Sequence, residues 1–300
     1  MQKKMSPSRI ASELKKTLDR IEDRVCGFDR LKINVDGHLS KSMESKLTLL
    51  LQPHCREVCF ISTANQYQPI WTLMIDLFQP NKDALRILRN AIGTRNMSKV
   101  IHAEITIDLI AKNRSDAHHI GGYILEHFLF PYLRKPVFIE HDETVYFNSR
   151  ANKSGTATSR RFVMYADKAS KLLANTQESS CCHLEYRLVG APSCSSMGLN
   201  TLMDCVQFDH ESFWQRELRL YEIESKKELG LLLAPNDDVS DSSLRSHANA
   251  FLEGHEIYGS EAEYYILQSC LQTNPKISKV LKRVDARHIL RGIKTDLSEE

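Results

Sequence analysis

Apolar positions at Ile10, Leu14, Leu18, Ile21 and Val25 recur every three or four residues, with charged residues between them, behind a Ser6-Pro7 start. That period is helical, so residues 8–25 are expected to form an amphipathic helix that packs on the body or pairs with a partner helix. The period then changes. Residues 30–35, 58–63 and 70–78 read as strands, the last ended by Pro80, and Asn81 is placed to cap a helix that stops at Gly93. Residues 100–111 predict a further strand and residues 115–132 a further helix, ended by Arg134-Lys135-Pro136. Strands at 136–140, 144–150 and 160–165 flank a Lys/Ser/Gly/Thr loop at 151–159; a short helix near 169–175 and a strand at 183–189 follow. Beyond residue 196 the pattern is mainly helical, apart from an Asp/Ser-rich loop at 236–243.

Strands and helices mix here without a regular β-α-β alternation. The expected fold class is therefore α+β, a mostly antiparallel sheet with a polar catalytic face, packed by helices, plus a helical C-terminal part. The expected division is an N-terminal amphipathic helix over residues 1–28, a nuclease-like α+β domain over 29–205, and a helical region with a basic tail over 206–300.

A composition of 42% hydrophobic and 26% charged residues supplies a real core and excludes disorder, collagen and small disulfide scaffolds. The longest apolar runs fall far short of the ~18 residues of a membrane span, and Lys3-Lys4 is followed by Ser-Pro rather than a signal-peptide core, so a cytoplasmic chain without a membrane partner is expected. The eight cysteines (26, 55, 59, 181, 182, 194, 205, 270) include no C-x-x-C pair and read as free thiols.

The net charge of +2 conceals a segregation. Residues 146–171 carry six Lys/Arg against Asp167 alone, residues 207–263 carry five bases against thirteen acids, and residues 276–294 carry seven bases against Asp285. Two basic patches around an acidic belt suit a protein that grips a polyanion at defined places. The stretch 276–294, with Lys282 and Arg283, reads as an amphipathic helix whose cationic face either lies along a DNA backbone or docks on the acidic belt.

Side chains on a strand alternate between faces, and the later strands are informative when split that way. His102, Glu104, Thr106 and Asp108 share one face, opposite Ile101, Ala103, Ile105, Ile107 and Leu109. The same division sets Tyr146, Asn148 and Arg150 together, Arg161 with Tyr165, and His183 with Glu185 and Arg187. Clustered acids repel one another unless a cation or a bound ligand compensates. Carboxylates with an imidazole suit Mg2+ or Mn2+, arginines suit phosphate oxygens, and a tyrosine beside them can attack phosphorus once its phenol is deprotonated.

The segments HAEITIDL (102–109), VYFNSR (145–150), RRFVMYADKASK (160–171) and HLEYRLVG (183–190), in that order, resemble the rolling-circle replication initiators of phages and plasmids, of the trans-acting replication initiation factor type. The likeness covers about a third of the chain. It departs from the family pattern at Asn148, where glycine is usual, at Ala166, which intervenes before Asp167-Lys168, and at His183, where an arginine is usual ahead of the acid. The resemblance implies nicking of one strand at an origin, with a 5′-phosphotyrosine link and a free 3′-OH. Carried over by position, it makes Tyr165 the nucleophile with Tyr146 in reserve, Lys168 a further catalytic group, and Glu104, Asp108, Glu185 and His183 the metal ligands. Arg150, Arg160, Arg161 and Arg187 would contact DNA, joined by Lys282 and Arg283 of the basic tail.

No two of the twelve histidines stand at i and i+2, which disfavours the two-histidine nickase class, and no G-x-x-x-x-G-K-[ST] loop is present to drive unwinding. The implied partners are therefore single-stranded or hairpin origin DNA, a host helicase and polymerase, and a second copy of the chain for the second cleavage. Two other readings compete: a DNA-binding replication or regulatory protein that lacks the chemistry, and a metal-dependent hydrolase of small phosphate esters.

Overall fold

The period-two stretches pair into one sheet. In a computed structural model, which describes residues 7–63, 72–93, 97–130, 138–139, 144–147, 159–166, 168–173, 179–223 and 281–294, eight strands join antiparallel. They are β1 (Ile21–Val35), β2 (Glu57–Ser62), β3 (Leu73–Phe78), β4 (Ser98–Ala111), β5 (Phe138–Ile139), β6 (Val145–Phe147), β7 (Ser159–Tyr165) and β8 (Cys181–Val189), in the order β2-β3-β1-β4-β8-β7-β6-β5. A separate ribbon pairs β9 (Leu220–Ile223) with β10 (Leu281–Val284). The helices are α1 (Pro7–Leu18), α2 (Lys41–Leu51), α3 (Lys82–Ile92), α4 (Arg114–His127), α5 (Ala191–Ser195), α6 (Leu202–Val206), α7 (His210–Glu217) and α8 (Arg287–Leu290). This is the expected α+β class with an antiparallel sheet.

Register explains which face is which. Leu31 lies opposite Ala103, Ile105 opposite Tyr186, and Phe162 opposite both Tyr186 and Phe147, so one face is continuous hydrocarbon. Helices α2 to α8 bury Leu51, Leu88, Ile124, Cys194, Leu202, Trp214 and Leu290, among others, in the same cluster with it. Local chemistry sets the helix ends. The Asn81 side chain accepts from the Ala84 N–H, Asn113 accepts from Asp116, and Thr201 with Asp204 closes a capping box on α6. Gly93 ends α3 at φ 77°, a conformation glycine adopts without a Cβ penalty.

Several elements depart from the periodicity reading. The N-terminal helix stops at Leu18, and Ile21 and Val25 belong to β1, so the boundary expected at residue 28 falls inside a 15-residue strand. Three register shifts mark the pairing of β1 with β4: those between Ile21 and Asp23 and between Phe28 and Arg30 insert a residue in β1 and break its alternation, and that between Lys32 and Ile33 leaves Ile101 of β4 unpaired. Residues 169–173 form bends with an Ala169–Ser180 bridge instead of a helix.

The basic stretch expected as one amphipathic helix divides into β10 and the short α8. Its apolar residues serve the main core: Val284, Ile289 and Leu290 are buried there, and Lys294 bridges to Val25 of β1. Among the described residues no helix is long and apolar enough to cross a membrane.

Candidate functional site

The opposite face of the sheet is polar, and strand pairing brings its residues into rows. Asp108 faces His183, which faces Tyr165; Thr106 faces Glu185; Glu104 faces Arg187, which faces Arg161. Glu185 also faces Val163, whose partner across β6 is Tyr146. Four strands thus present the anticipated groups on one surface. On β1 the shift between Phe28 and Arg30 lets two consecutive residues be buried, Phe28 in the apolar core and Asp29 on the polar side.

His183 is the hub. Its Nδ1 stands 2.6 Å from Asp108 Oδ1 and its Nε2 3.3 Å from Glu185 Oε2, with all three side chains fully buried. Burial alone would lower the imidazole pKa, but the hydrogen bonds and charges of Asp108 and Glu185 override it and raise it to about 9. Nδ1 donates to Asp108, and the Nε2 edge turned toward Glu185 carries a proton when no cation is there and is the nitrogen a metal would take in the proton's place. Burial disfavours the Glu185 anion, yet hydrogen bonds from His183 and Arg187 keep its pKa below the ordinary range. Arg187 binds Glu185 through Nε, places Nη2 3.2 Å from Glu185 Oε2, and reaches Glu104 at 3.6 Å.

One ligating atom each from Asp29, His183 and Glu185 lies within 4.8 Å of the others, and all three residues are buried. This is a carboxylate, imidazole and carboxylate donor set of the kind that holds Mg2+ or Mn2+. Two buried hydroxyls on the same face, Thr106 Oγ1 and Tyr165 Oη, have no hydrogen-bond partner among the described residues. An unmatched hydroxyl is costly to bury, and beside three acids it fits a site shaped around a cation. Tyr165 is 5% exposed and stacks on the His183 ring at 4.3 Å between centroids and 17° between planes. Burial pushes its phenol pKa up, and the charges of Asp108, Asp29 and Glu185 push it further.

The sequence-derived ligand set is redistributed accordingly. Glu185 and His183 stay in the group, and Asp29 joins them. Asp108 instead orients His183 and accepts from Ser170 Oγ at 2.5 Å, while Glu104 is engaged by His102 at 2.9 Å and by Arg187. Lys168 lies over the Tyr165 ring at 5.1 Å, and Tyr146 is half-buried on β6.

The arginines divide too. Arg161 shares the polar face, next to Arg187, whereas Arg160 lies opposite Leu188 and binds Ser196 at 2.8 Å, so it serves the helical side. Arg150 lies outside the described residues, as do Asn148 and Asp167. Lys282 and Arg283 are exposed on β10, whose partner β9 packs by α4 through a hydrogen bond between the Tyr221 carbonyl and His127. A concavity of about 660 Å³ sits at the other end of β4 from Asp108, lined by Arg89, Met97, Lys99, Asn200 and Met203.

The signal for Asp29 was present in the chain. Buried positions on the core side of β1 run on even numbers at Cys26 and Phe28, then on odd numbers at Leu31, Ile33 and Val35. A change of parity within one strand marks an inserted residue.

No family model matches the chain, and the search of curated proteins returns no significant match. Among solved structures, the regulatory subunit of aspartate kinase from Thermus flavus is similar over 63% of this chain and 97% of that one, at 9% identity and a TM-score of 0.20. A likeness that slight bears on neither fold nor function.

Proposed function

We propose that the chain is a cytoplasmic DNA-nicking replication initiator of the rolling-circle, trans-acting kind that its motifs resemble. The observation that carries this reading is the buried Tyr165 hydroxyl, without a hydrogen-bond partner among the described residues, beside the group of Asp29, His183 and Glu185. In this reading those three residues hold Mg2+ or Mn2+, whose positive charge favours the phenolate and polarises a phosphodiester. Tyr165 Oη attacks phosphorus and the new P–O bond forms as the bond to the 3′ oxygen breaks. The phenol proton passes to a carboxylate of the cluster, and the departing 3′ oxygen takes a proton from water. Asp108 keeps the His183 ring in place, and Arg161 and Arg187 meet the phosphate oxygens. Origin DNA, single-stranded or in a hairpin, is the substrate. A host helicase and polymerase are the partners, with a second copy of the chain for the second cleavage.

The test uses purified protein, Mn2+ and a single-stranded oligonucleotide carrying the stem-loop nearest the coding sequence. A denaturation-resistant protein–DNA adduct that disappears in Tyr165→Phe is expected. An adduct that persists in that variant moves the nucleophile to Tyr146 or another tyrosine. Residues 168–173 close over the site, and that closure favours a second reading, a replication or regulatory protein that binds DNA without cutting it. Absence of any adduct with any divalent metal, combined with retained DNA binding, would establish that second reading.

A further inference from the structure

Residues 168–173 cross the polar face as a strap. The Ala169–Ser180 bridge and the Ser170 N–H to Ser179 carbonyl hydrogen bond, at 3.1 Å, tie it to the start of β8. Leu172 and Leu173 pack on Val25, Ile110 and Cys181, a small apolar cluster separate from the main core. Leu172 also closes over Gly27, where a Cβ would stand 3.5 Å from its Cδ2. Thus anchored, the strap delivers two side chains to the acids. Ser170 Oγ donates to Asp108 Oδ2 at 2.5 Å, and Lys171 Nζ donates to Asp29 Oδ2 at 3.2 Å while lying 5.7 Å from the Tyr165 ring centre. The other Asp29 oxygen accepts from Gln79 Nε2 at 2.9 Å.

Asp29 thus belongs at once to the candidate metal ligands and to an ion pair with a lysine of the strap. An ammonium and a divalent cation cannot both occupy the inner side of one carboxylate without repelling each other. We infer that the strap is the protein's own occupant of the site, with Lys171 standing on Asp29 until a divalent cation replaces it, so that metal entry and release of the strap are one exchange. This rests on the metal-binding reading of Asp29, His183 and Glu185. It adds a control element: the residue that neutralises the site at rest also sets how much metal is needed to open it, and opening uncovers Tyr165.

The test is Mn2+ titration calorimetry on the full chain, with amide hydrogen exchange across residues 168–173. Lys171→Met keeps the length of the side chain and removes its charge, and is expected to bind Mn2+ about tenfold more tightly than the parent. Saturating Mn2+ is expected to speed exchange in the strap of the parent protein. Should Lys171→Met fail to fold, Lys171→Arg, which holds a carboxylate through two donors, is expected to weaken Mn2+ binding several-fold. If the parent binds Mn2+ and these variants match it, with no change in strap exchange, the exchange proposal is overturned while the metal site stands. If neither parent nor Lys171→Met binds Mn2+, the metal reading itself fails and the strap role falls with it. Binding by Lys171→Met alone would be the strongest support.

Discussion

Two charged clusters share the polar face and differ in how their charges close. Toward the β2 edge, Asp76 accepts two hydrogen bonds from Arg30, at 2.9 and 2.7 Å, with Lys32 at 3.3 Å. One acid meets two bases there, and Arg30 also stacks on Phe78 at 4.4 Å. Toward β7, Asp108, Glu185 and Asp29 meet His183, Arg187 and a lysine that reaches in from the strap, and the Tyr165 hydroxyl has no hydrogen-bond partner among the described residues. The first cluster is complete as it stands and accounts for itself as structure. The second balances its charge only by drawing in a lysine from the strap and leaves an unmatched hydroxyl, which is how a region prepared for something else differs from one that only holds strands together.

Substitutions can break that contrast. The largest effect is expected from Tyr165→Phe, which should reduce covalent adduct formation by at least about three orders of magnitude. It should leave the melting temperature unchanged or higher, because the change removes a hydroxyl whose burial is uncompensated; a melting temperature lowered by many degrees would show Tyr165 to be structural. Next, Asp29→Asn is expected to lower Mn2+ affinity by at least about tenfold in calorimetry. Asp76→Asn sharpens the comparison from the other side: it should leave Mn2+ affinity unchanged and cost about 1–3 kcal/mol in denaturant unfolding, the upper end being discounted because Arg30 is partly in water.

A smaller, pH-dependent effect belongs to the apolar face. His210 is buried against Phe28 and Phe208, and burial, then the charge of Lys82, lowers its pKa from 6.5 to about 3, against the opposing pull of Asp209. The unfolded chain takes up this proton below pH 6.5 and the folded one does not, so the contribution is present above pH 6.5 and is lost as the pH falls toward 3. The slope attributable to this residue approaches about 1.4 kcal/mol per pH unit in that window. His210→Phe should flatten it, as urea titrations at several pH values would show.

How far the fold could be read from the chain follows from where alternation holds. Strands β7, β8 and β4 from His102 onward keep period two, so Asp108, His183, Glu185 and Tyr165 could be assigned to one face before any coordinates. The caps at Asn81 and Gly93 were equally plain, because their side-chain and backbone chemistry is local. Strand β1 was misread from Ile21 to Val25 because apolar residues there stand four apart across a register shift, as on a helix, and Asp29 fell in the gap before the strand expected from residue 30. Arg160 was grouped with Arg161 by charge, although neighbours on a strand point to opposite sides; the register divides them. The basic stretch near residue 290 was misjudged for another reason. Its apolar positions suit a helix or a strand, and tertiary pairing with β9 and β1 decided.

That last pairing has a consequence for synthesis. Lys294 donates its N–H to the Arg24 carbonyl, and its own carbonyl accepts from Cys26, 268 positions earlier in the chain. A ribosome adding ~5–20 residues each second has long since released β1 when this segment emerges, so the sheet's long central strand waits many seconds for its final contact. Until then the nascent polypeptide is an unfinished sheet with one flank open, and a transcript cut short before this point would encode nearly every described strand yet leave the main core without Ile289 and Leu290.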